Sequence, residues 1–327
     1  MRILVTGGTG FTGSHLVRRL LDKGHEVLVL DKQEGLSHGE LIARGARVEL
    51  GDITDQNFVH KLVKGCEVVH HIAAAFRQLN VPDRYYRAVN VEGTRYLLDA
   101  AHRFQVRKFI YCSTQGVHGH VQNPPGNEQS PIAPEDYYQL TKFEGERVVQ
   151  EYVAKGLEAV ILRPTAIYGP GDPGRFLILF RLVKRGSFLM FGDGTTFYHP
   201  VYIDNLVDAF ERAAEAEGIR GETYLIGDER YYSLNELVRH VAEAMGMPVQ
   251  IRHLPFWPLF SIAWACEMVC KPLRLTPPIF RRRVDWFRQV RAFSIEKARK
   301  DLHYQPKIGL KEGLAETARW YREQGYL

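Results

Sequence analysis

Short apolar runs and stretches of helical periodicity alternate through the first half of the chain. Residues 1–6, 26–31, 47–50, 67–72, 108–114 and 159–164 are runs of strand length bounded by turn-forming or polar positions. Between them, 11–23, about 84–104 and 136–155 place apolar residues three and four positions apart, the spacing of one helix face. This alternation predicts a doubly wound α/β fold, a parallel sheet with helices on both faces, in which ligands bind beyond the carboxyl ends of the strands. After 164 the alternation weakens. A loop over 168–174, a short amphipathic helix over 175–186 and a Gly192-Asp193-Gly194 turn are expected there. A strand over 199–203 should then return to the main sheet, followed by a helix from Asp204. The expected division is a sheet domain of 1–165 plus about 199–219, and a smaller lobe of about 166–198 and 220–327.

Bulk properties narrow the class. The 327 residues can bury a large core, and 45% hydrophobic with 25% charged residues is ordinary for a soluble globular protein. The net charge of +5 is concentrated: residues 270–291 hold seven basic groups against one acid, Asp285. The remainder is nearly neutral, so no nucleic-acid surface is implied. Cys66, Cys112, Cys266 and Cys270 form no C-x-x-C pair, and no signal peptide precedes the first strand. They read as buried free thiols in a reducing, cytoplasmic setting.

The first strand breaks into Gly7-Gly8-Thr9-Gly10-Phe11-Thr12-Gly13 and runs directly into a helix. Gly7 can take a sharp turn, Gly10 lets a pyrophosphate approach the backbone, and Gly13 lets the helix pack close to the strand. Amide groups around Phe11 and Thr12 at the helix N-terminus then favour phosphate. The second strand ends in Asp31, eighteen residues past Gly13. A carboxylate there can accept both ribose hydroxyls of NAD and repels the 2′-phosphate of NADP, although Lys32 could offset part of that repulsion. Asp52, Ile53, Ala73 and Ala74 fall at the ends of the third and fourth strands, where small side chains leave room for the adenosine and second ribose.

A second constellation carries chemistry. The fifth strand delivers Ser113 and Thr114 to the same edge, and Tyr138-x-x-x-Lys142 follows twenty-four positions after Thr114 on one helix face. A phenol titrates near 10, too high for easy proton exchange at neutral pH. An ammonium one turn away stabilises the phenolate, and the Thr114 hydroxyl can hold the reacting oxygen. Together they form an acid/base device for an alcohol proton while hydride moves to or from a nicotinamide.

These motifs, with Gly51-Asp52-Ile53, Asn90, Arg163-Pro164…Tyr168-Gly169-Pro170, Tyr202-Ile203-Asp204-Asn205 and Lys297-Ala298…Leu302-x-Tyr304-x-Pro306, resemble the extended short-chain dehydrogenase/reductase superfamily, the NAD-dependent epimerase/dehydratase family, over nearly the whole chain. The resemblance implies a Rossmann-type domain, bound NAD, a small-molecule substrate and a Thr114–Tyr138–Lys142 catalytic set. It also implies a homodimer through the 84–104 and 136–155 helices. Asn90, Ser113 and Pro164 join the implied cofactor contacts. Gln115, His118, Tyr168, Arg175 and Tyr202 are the candidates for touching substrate.

Departures from the family pattern bear on the activity. Dehydratases carry an acid just after the catalytic Thr or Ser; here Gln115 and Gly116 stand there, so sugar dehydration is not expected. Many nucleotide-sugar members place an arginine before the Tyr-x-Asp strand; here the chain reads Thr196-Phe197-Tyr198-His199-Pro200, with Arg175, Arg181 or Arg252 as stand-ins. The apolar segment 254–270 resembles the corresponding region of 3β-hydroxysteroid dehydrogenases. It is expected to be a helix packed in the smaller lobe, with a lid over an apolar substrate or contact of 254–291 with a membrane surface as alternatives. His118-Gly-His120 lacks a third ligand, and no metal is expected. The reaction expected is reversible hydride transfer at a secondary alcohol or ketone. Either a dehydrogenase on a fairly apolar molecule or a nucleotide-sugar epimerase would use it.

Overall fold

The computed structural model describes the chain except residues 77–80, 173, 271–274, 276 and 280, and describes the backbone but not the side chains of 175, 282 and 283. Strands β1 (Arg2–Thr6), β2 (Glu26–Asp31), β3 (Arg47–Leu50), β4 (Val68–His71), β5 (Lys108–Cys112) and β6 (Ala159–Pro164) join Thr223–Ile226 in one parallel sheet. Its order is β3-β2-β1-β4-β5-β6 and then Thr223–Ile226. β1, β4, β5 and β6 are buried along nearly their full length because helices cover both faces, which is why they read as continuous apolar runs. One face packs Val5, Leu16, Val17 and Phe210. The other packs Leu4, Leu97, Tyr111 and Tyr152. The order reverses between β1 and β4, and this opens a crevice beyond their carboxyl ends.

The last strand of the sheet differs from the expected one. Pro200–Tyr202 pairs with Ala166–Tyr168 in a separate ribbon, and Thr223–Ile226 completes the main sheet beside β6. Ile295, Ala298, Leu302 and Tyr304 also pack into the core of the large unit rather than the small one. The chain thus returns twice to the sheet domain after residue 220. The smaller unit keeps its own core of Phe176, Phe180, Leu237, Val241, Leu314 and Tyr321, with Ser187–Phe191 parallel to Gln250–Leu254.

Two further elements depart from a simple reading. The long helix over 84–104 is Asp83–Arg87, a π-helical turn at Ala88–Gly93, and Thr94–Arg103. Such insertions cluster where a side chain must be aimed, and this one carries Asn90. The apolar segment forms the helix Phe256–Cys270, but only Ala263 and Glu267 in it are buried. Trp257, Ile262, Trp264, Met268 and Val269 are each at least half exposed. Packing in the smaller lobe therefore does not account for it.

Asp228 clasps the two units. Its Oδ1 accepts from Tyr202 N at 2.9 Å and Asn205 Nδ2 at 2.8 Å, and Tyr168 Oη donates to Oδ2 at 3.4 Å. Burial pushes its carboxyl up to about 7, against the three hydrogen bonds that pull it down. A raised pKa means that the folded state holds a proton which the unfolded state has already lost. This contribution is complete below the ordinary carboxylate range and fades as pH rises through about 7. Asp228→Asn keeps the acceptor oxygen and is expected to lose the decline in melting temperature that this group causes between pH 4 and 7. Parallel pH series for both proteins check this, and superimposable slopes would refute it.

Candidate active site

A cleft of about 640 Å³ lies at the carboxyl edge of the sheet and gathers most of the residues singled out from the sequence. At one end is the glycine turn. Gly7 has φ +71°, a conformation that disfavours any side chain, and a Cβ on Gly13 would stand 2.1 Å from the Gly7 carbonyl oxygen. No side chain caps the helix Phe11–Asp22 at Gly10, so its first amides stay available to an anion. Gly7, Gly10, Phe11 and Thr12 line the cleft. Gly13 lies behind them as the packing contact.

Asp31 is fixed at the next strand end. Its Oδ2 accepts from Thr9 N at 3.1 Å and Thr9 Oγ1 at 2.7 Å, and Oδ1 accepts from Lys32 N at 2.8 Å. The Lys32 ammonium turns instead to Asp52, 2.8 Å away, and donates to Tyr85 Oη at 3.3 Å. The Asp52 hydrogen bond raises the Lys32 pKa. Asp52 ends below its ordinary value because Lys32 and Thr54 outweigh its burial. The positive charge that could have offset Asp31 is therefore already paired. The arrangement suits a diol more than a 2′-phosphate. Ile53, Ala73 and Ala74 line the same stretch.

At the other end Ser113, Thr114, Gln115, Tyr138, Lys142 and Pro164 meet. Thr114 Oγ1 accepts from Gly116 N at 3.1 Å, which leaves its hydroxyl proton free to donate. Tyr138 is the second residue of the helix Tyr137–Ala154, whose start is fixed by the Asp136 side chain accepting from Gln139 N at 2.9 Å. Its ring packs on Phe76 at 4.8 Å between centroids. Lys142 is 1% exposed, its Nζ has no hydrogen-bond partner among the described residues, and it stands 4.1 Å from the centroid of the Tyr111 ring. Burial lowers its pKa to about 8. An orphaned, buried ammonium on a cleft wall is what a ribose hydroxyl pair would satisfy, so the residues fit a nicotinamide dinucleotide at both ends of the cleft.

Behind the wall is a buried network that sequence reasoning missed. Ser113 Oγ donates to Glu146 Oε1 at 2.5 Å, and Arg163 holds Glu146 bidentately at 2.9 and 2.6 Å. Arg163 Nη1 also donates to His118 Nε2 at 2.9 Å, while His118 Nδ1 faces the Ser130 and Pro131 carbonyls at 3.1 and 3.2 Å. This pattern requires neutral His118 with its proton on Nδ1, and burial lowers its pKa accordingly. The available signal was Glu146 itself, four residues past Lys142 on the same helix face. Asn90 likewise serves the scaffold: it bonds Ala75 N, Ala75 O and Thr141 Oγ1 at 2.8, 3.2 and 3.0 Å, tying the end of β4 to the Tyr138 helix.

Three substrate candidates are corrected. His118 is held by Arg163 and two carbonyls and does not line the cleft. Tyr168 is fully buried and donates to Asp228; Tyr202 points away and donates to Glu316 at 2.5 Å. Their strands turn these rings into the core of the smaller unit. Gln115 does line the cleft, and the side chain of Arg175 lies outside the described residues. Phe76, Ile167, Tyr198 and Arg291 line it without having been expected. His118 and His120 turn to different partners, His120 Nδ1 accepting from Val290 N at 3.0 Å. Among the described residues no group of three metal-ligating side chains comes together.

Known proteins resemble this chain throughout. Residues 3–227 match the NAD dependent epimerase/dehydratase family. A 2-alkyl-3-oxoalkanoate reductase of Stenotrophomonas maltophilia is 32% identical over 96% of this chain and 97% of its own length. A 3 beta-hydroxysteroid dehydrogenase/Delta 5→4-isomerase of Mycobacterium tuberculosis is 32% identical over 98% of this chain and 90% of its own. Among solved structures, a dTDP-glucose 4,6-dehydratase from Streptomyces venezuelae with NAD bound has a TM-score of 0.80 at 28% identity, covering 100% of this chain and 98% of that one. A UDP-glucose 4-epimerase from Thermotoga maritima has 0.79 at 26%, covering 99% of both.

Proposed function

The chain belongs to the NAD-dependent epimerase/dehydratase family, and we propose that within it the protein is an NAD(H)-dependent dehydrogenase acting on a secondary alcohol or ketone of a fairly apolar molecule. The observation that carries this reading is the apolar lining: Phe76 packs on the Tyr138 ring, and Ile167 and Tyr198 line the same cleft as Thr114 and Tyr138. The two 32% relatives act, by their names, on an alkyl-oxoalkanoate and a hydroxysteroid, which supports the same class.

Bound NAD supplies the hydride acceptor. Thr114 holds the substrate oxygen, and Tyr138 removes the alcohol proton in oxidation or returns it in reduction. Lys142 stabilises the phenolate and holds the nicotinamide ribose. Gln115 Oε1 and Thr165 Oγ1, both buried on the cleft wall without partners among the described residues, offer hydrogen bonds to polar groups of the substrate.

A second reading rests on Arg291, a cation in the cleft wall that could face a diphosphate, and makes the enzyme a nucleotide-sugar epimerase. His199, at the position where many such members have their arginine region, is buried and bonded to the Asp228 carbonyl at 2.9 Å, which weighs against it. The proposed function further includes a homodimer through the helical stretches 84–104 and 136–155, contact of 254–291 with a membrane surface, and residence in the cytoplasm. All four cysteines are free, in keeping with that compartment.

Incubation with NAD and either hydrophobic secondary alcohols or UDP-glucose separates the alternatives. NADH is expected to accumulate with the alcohols alone. Interconversion of the sugar without net NADH would replace the first reading by the second.

A further inference from the structure

The helix Phe256–Cys270 is apolar on nearly every side and yet lies at the surface. Its sequence, FWPLFSIAWACEMVC, holds one charged residue, Glu267. That residue is turned inward, where Arg281 binds it through N at 2.7 Å, Nε at 3.1 Å and Nη2 at 2.9 Å. The apolar side chains are turned outward: Trp257, Ile262, Trp264, Met268 and Val269 are 65, 54, 50, 58 and 63% exposed. A helix meant to face solvent would place these groups the other way round. The outward face also lacks any polar group larger than Ser261.

We infer that this helix is a membrane-docking element that lies flat in the headgroup region of an anionic bilayer, with Trp257, Ile262, Trp264, Met268 and Val269 entering the lipid. Its fifteen residues amount to about 22 Å of helix, too short to cross a bilayer and long enough to lie on one. Among the described residues no helix is long and apolar enough to span. Two of the chain's four tryptophans sit on the outward face, and tryptophan favours the interface.

Charge selects the occupant. Arg252 and His253 precede the helix and are exposed, Arg281 and Arg288 follow it paired to Glu267 and Asp285, and 270–291 carries seven basic groups against one acid in the sequence. The Arg288 guanidinium stands 5.6 and 5.2 Å from the ring centroids of Phe256 and Phe260. The net positive charge of the chain flanking the apolar helix suits anionic phospholipid. A second copy docking through the same face would bring two net-positive flanks together.

The element is also tied to the cleft. The segment after the helix packs Trp286 against Tyr198, at 6.0 Å between rings, and ends at Arg291; Tyr198 and Arg291 both line the cleft. Docking would therefore set the substrate end beside the lipid phase, where an apolar alcohol partitions. The docking deepens the membrane contact included in the proposed function, and its purpose rests on the apolar-substrate reading.

The test is flotation of the full chain with vesicles of phosphatidylcholine alone or mixed with phosphatidylglycerol, with tryptophan emission recorded in parallel. Binding to the mixed vesicles at low salt and a blue shift of emission are expected. Trp257→Ser with Trp264→Ser should reduce partitioning about tenfold or more. Ile262→Glu with Met268→Glu should do the same without removing a fluorophore. NAD binding should be unchanged in both double variants. A wild-type chain that stays unbound with both vesicle types would overturn the inference. So would a wild-type dimer that the same substitutions convert to monomer, since the face would then belong to a second copy. Flotation without oxidation of any apolar alcohol would leave docking standing and refute the substrate reading instead.

Discussion

Tyr138→Phe is expected to lower kcat about 10³-fold, with kcat/KM falling in parallel and NAD affinity nearly unchanged. The variant keeps the ring that packs on Phe76 and removes only the phenolic oxygen. In the proposed reaction that oxygen acts on a proton in flight, so its loss should be felt in the transition state and not in binding. Lys142 keeps its buried position over Tyr111, because its placement depends on the helix and not on the phenol. Steady-state NADH formation gives the first quantity and a fluorescence titration with NAD the second. Turnover within tenfold of wild type would remove Tyr138 from the role assigned to it.

Glu146→Ala is expected to cost about 3–5 kcal/mol, the largest loss of stability from any single change at the site. Glu146 is 3% exposed and Arg163 5% exposed. Removing the carboxylate leaves a buried guanidinium with His118 Nε2 as its remaining side-chain acceptor, and it strips Ser113 Oγ of its partner. Desolvation of a lone cation is the penalty, so removing both charges should hurt less: Glu146→Leu with Arg163→Met is expected to recover much of the loss. For a chain of this size the single change lowers the melting temperature by roughly 6 °C. A melting temperature within a degree of wild type for Glu146→Ala would contradict this account of the network.

Much of this architecture was legible in the sequence because backbone chemistry leaves local signals. The turn at Gly7–Gly13 must be glycine-rich to bring helix and strand together, and a parallel sheet buried on both faces must be apolar throughout. Tyr138 and Lys142 announce themselves by sharing a helix face. Long-range pairing leaves no such signal. Thr223–Ile226 is only four residues long and sits far from β6 in sequence, so its place in the main sheet depends on a return path that periodicity does not record. Tyr168 and Tyr202 lie where cleft residues would lie, but their direction is decided by Asp228 and Glu316, 60 and 114 positions away. Hydropathy marked 254–270 as apolar without saying which way it faces. That orientation follows from Glu267 finding Arg281, a tertiary contact across fourteen positions.

In the reaction we propose, hydride leaves the carbinol carbon of an apolar alcohol for NAD at the Thr114–Tyr138–Lys142 site. The most direct measurement uses a hydrophobic secondary alcohol carrying deuterium on that carbon, with recovery and mass analysis of the nicotinamide. The expected result is one deuterium per reduced cofactor, together with accumulation of the ketone. Deuterium retained in an inverted alcohol, with no reduced cofactor released, would show an epimerase. Deuterium lost to solvent would contradict hydride transfer itself.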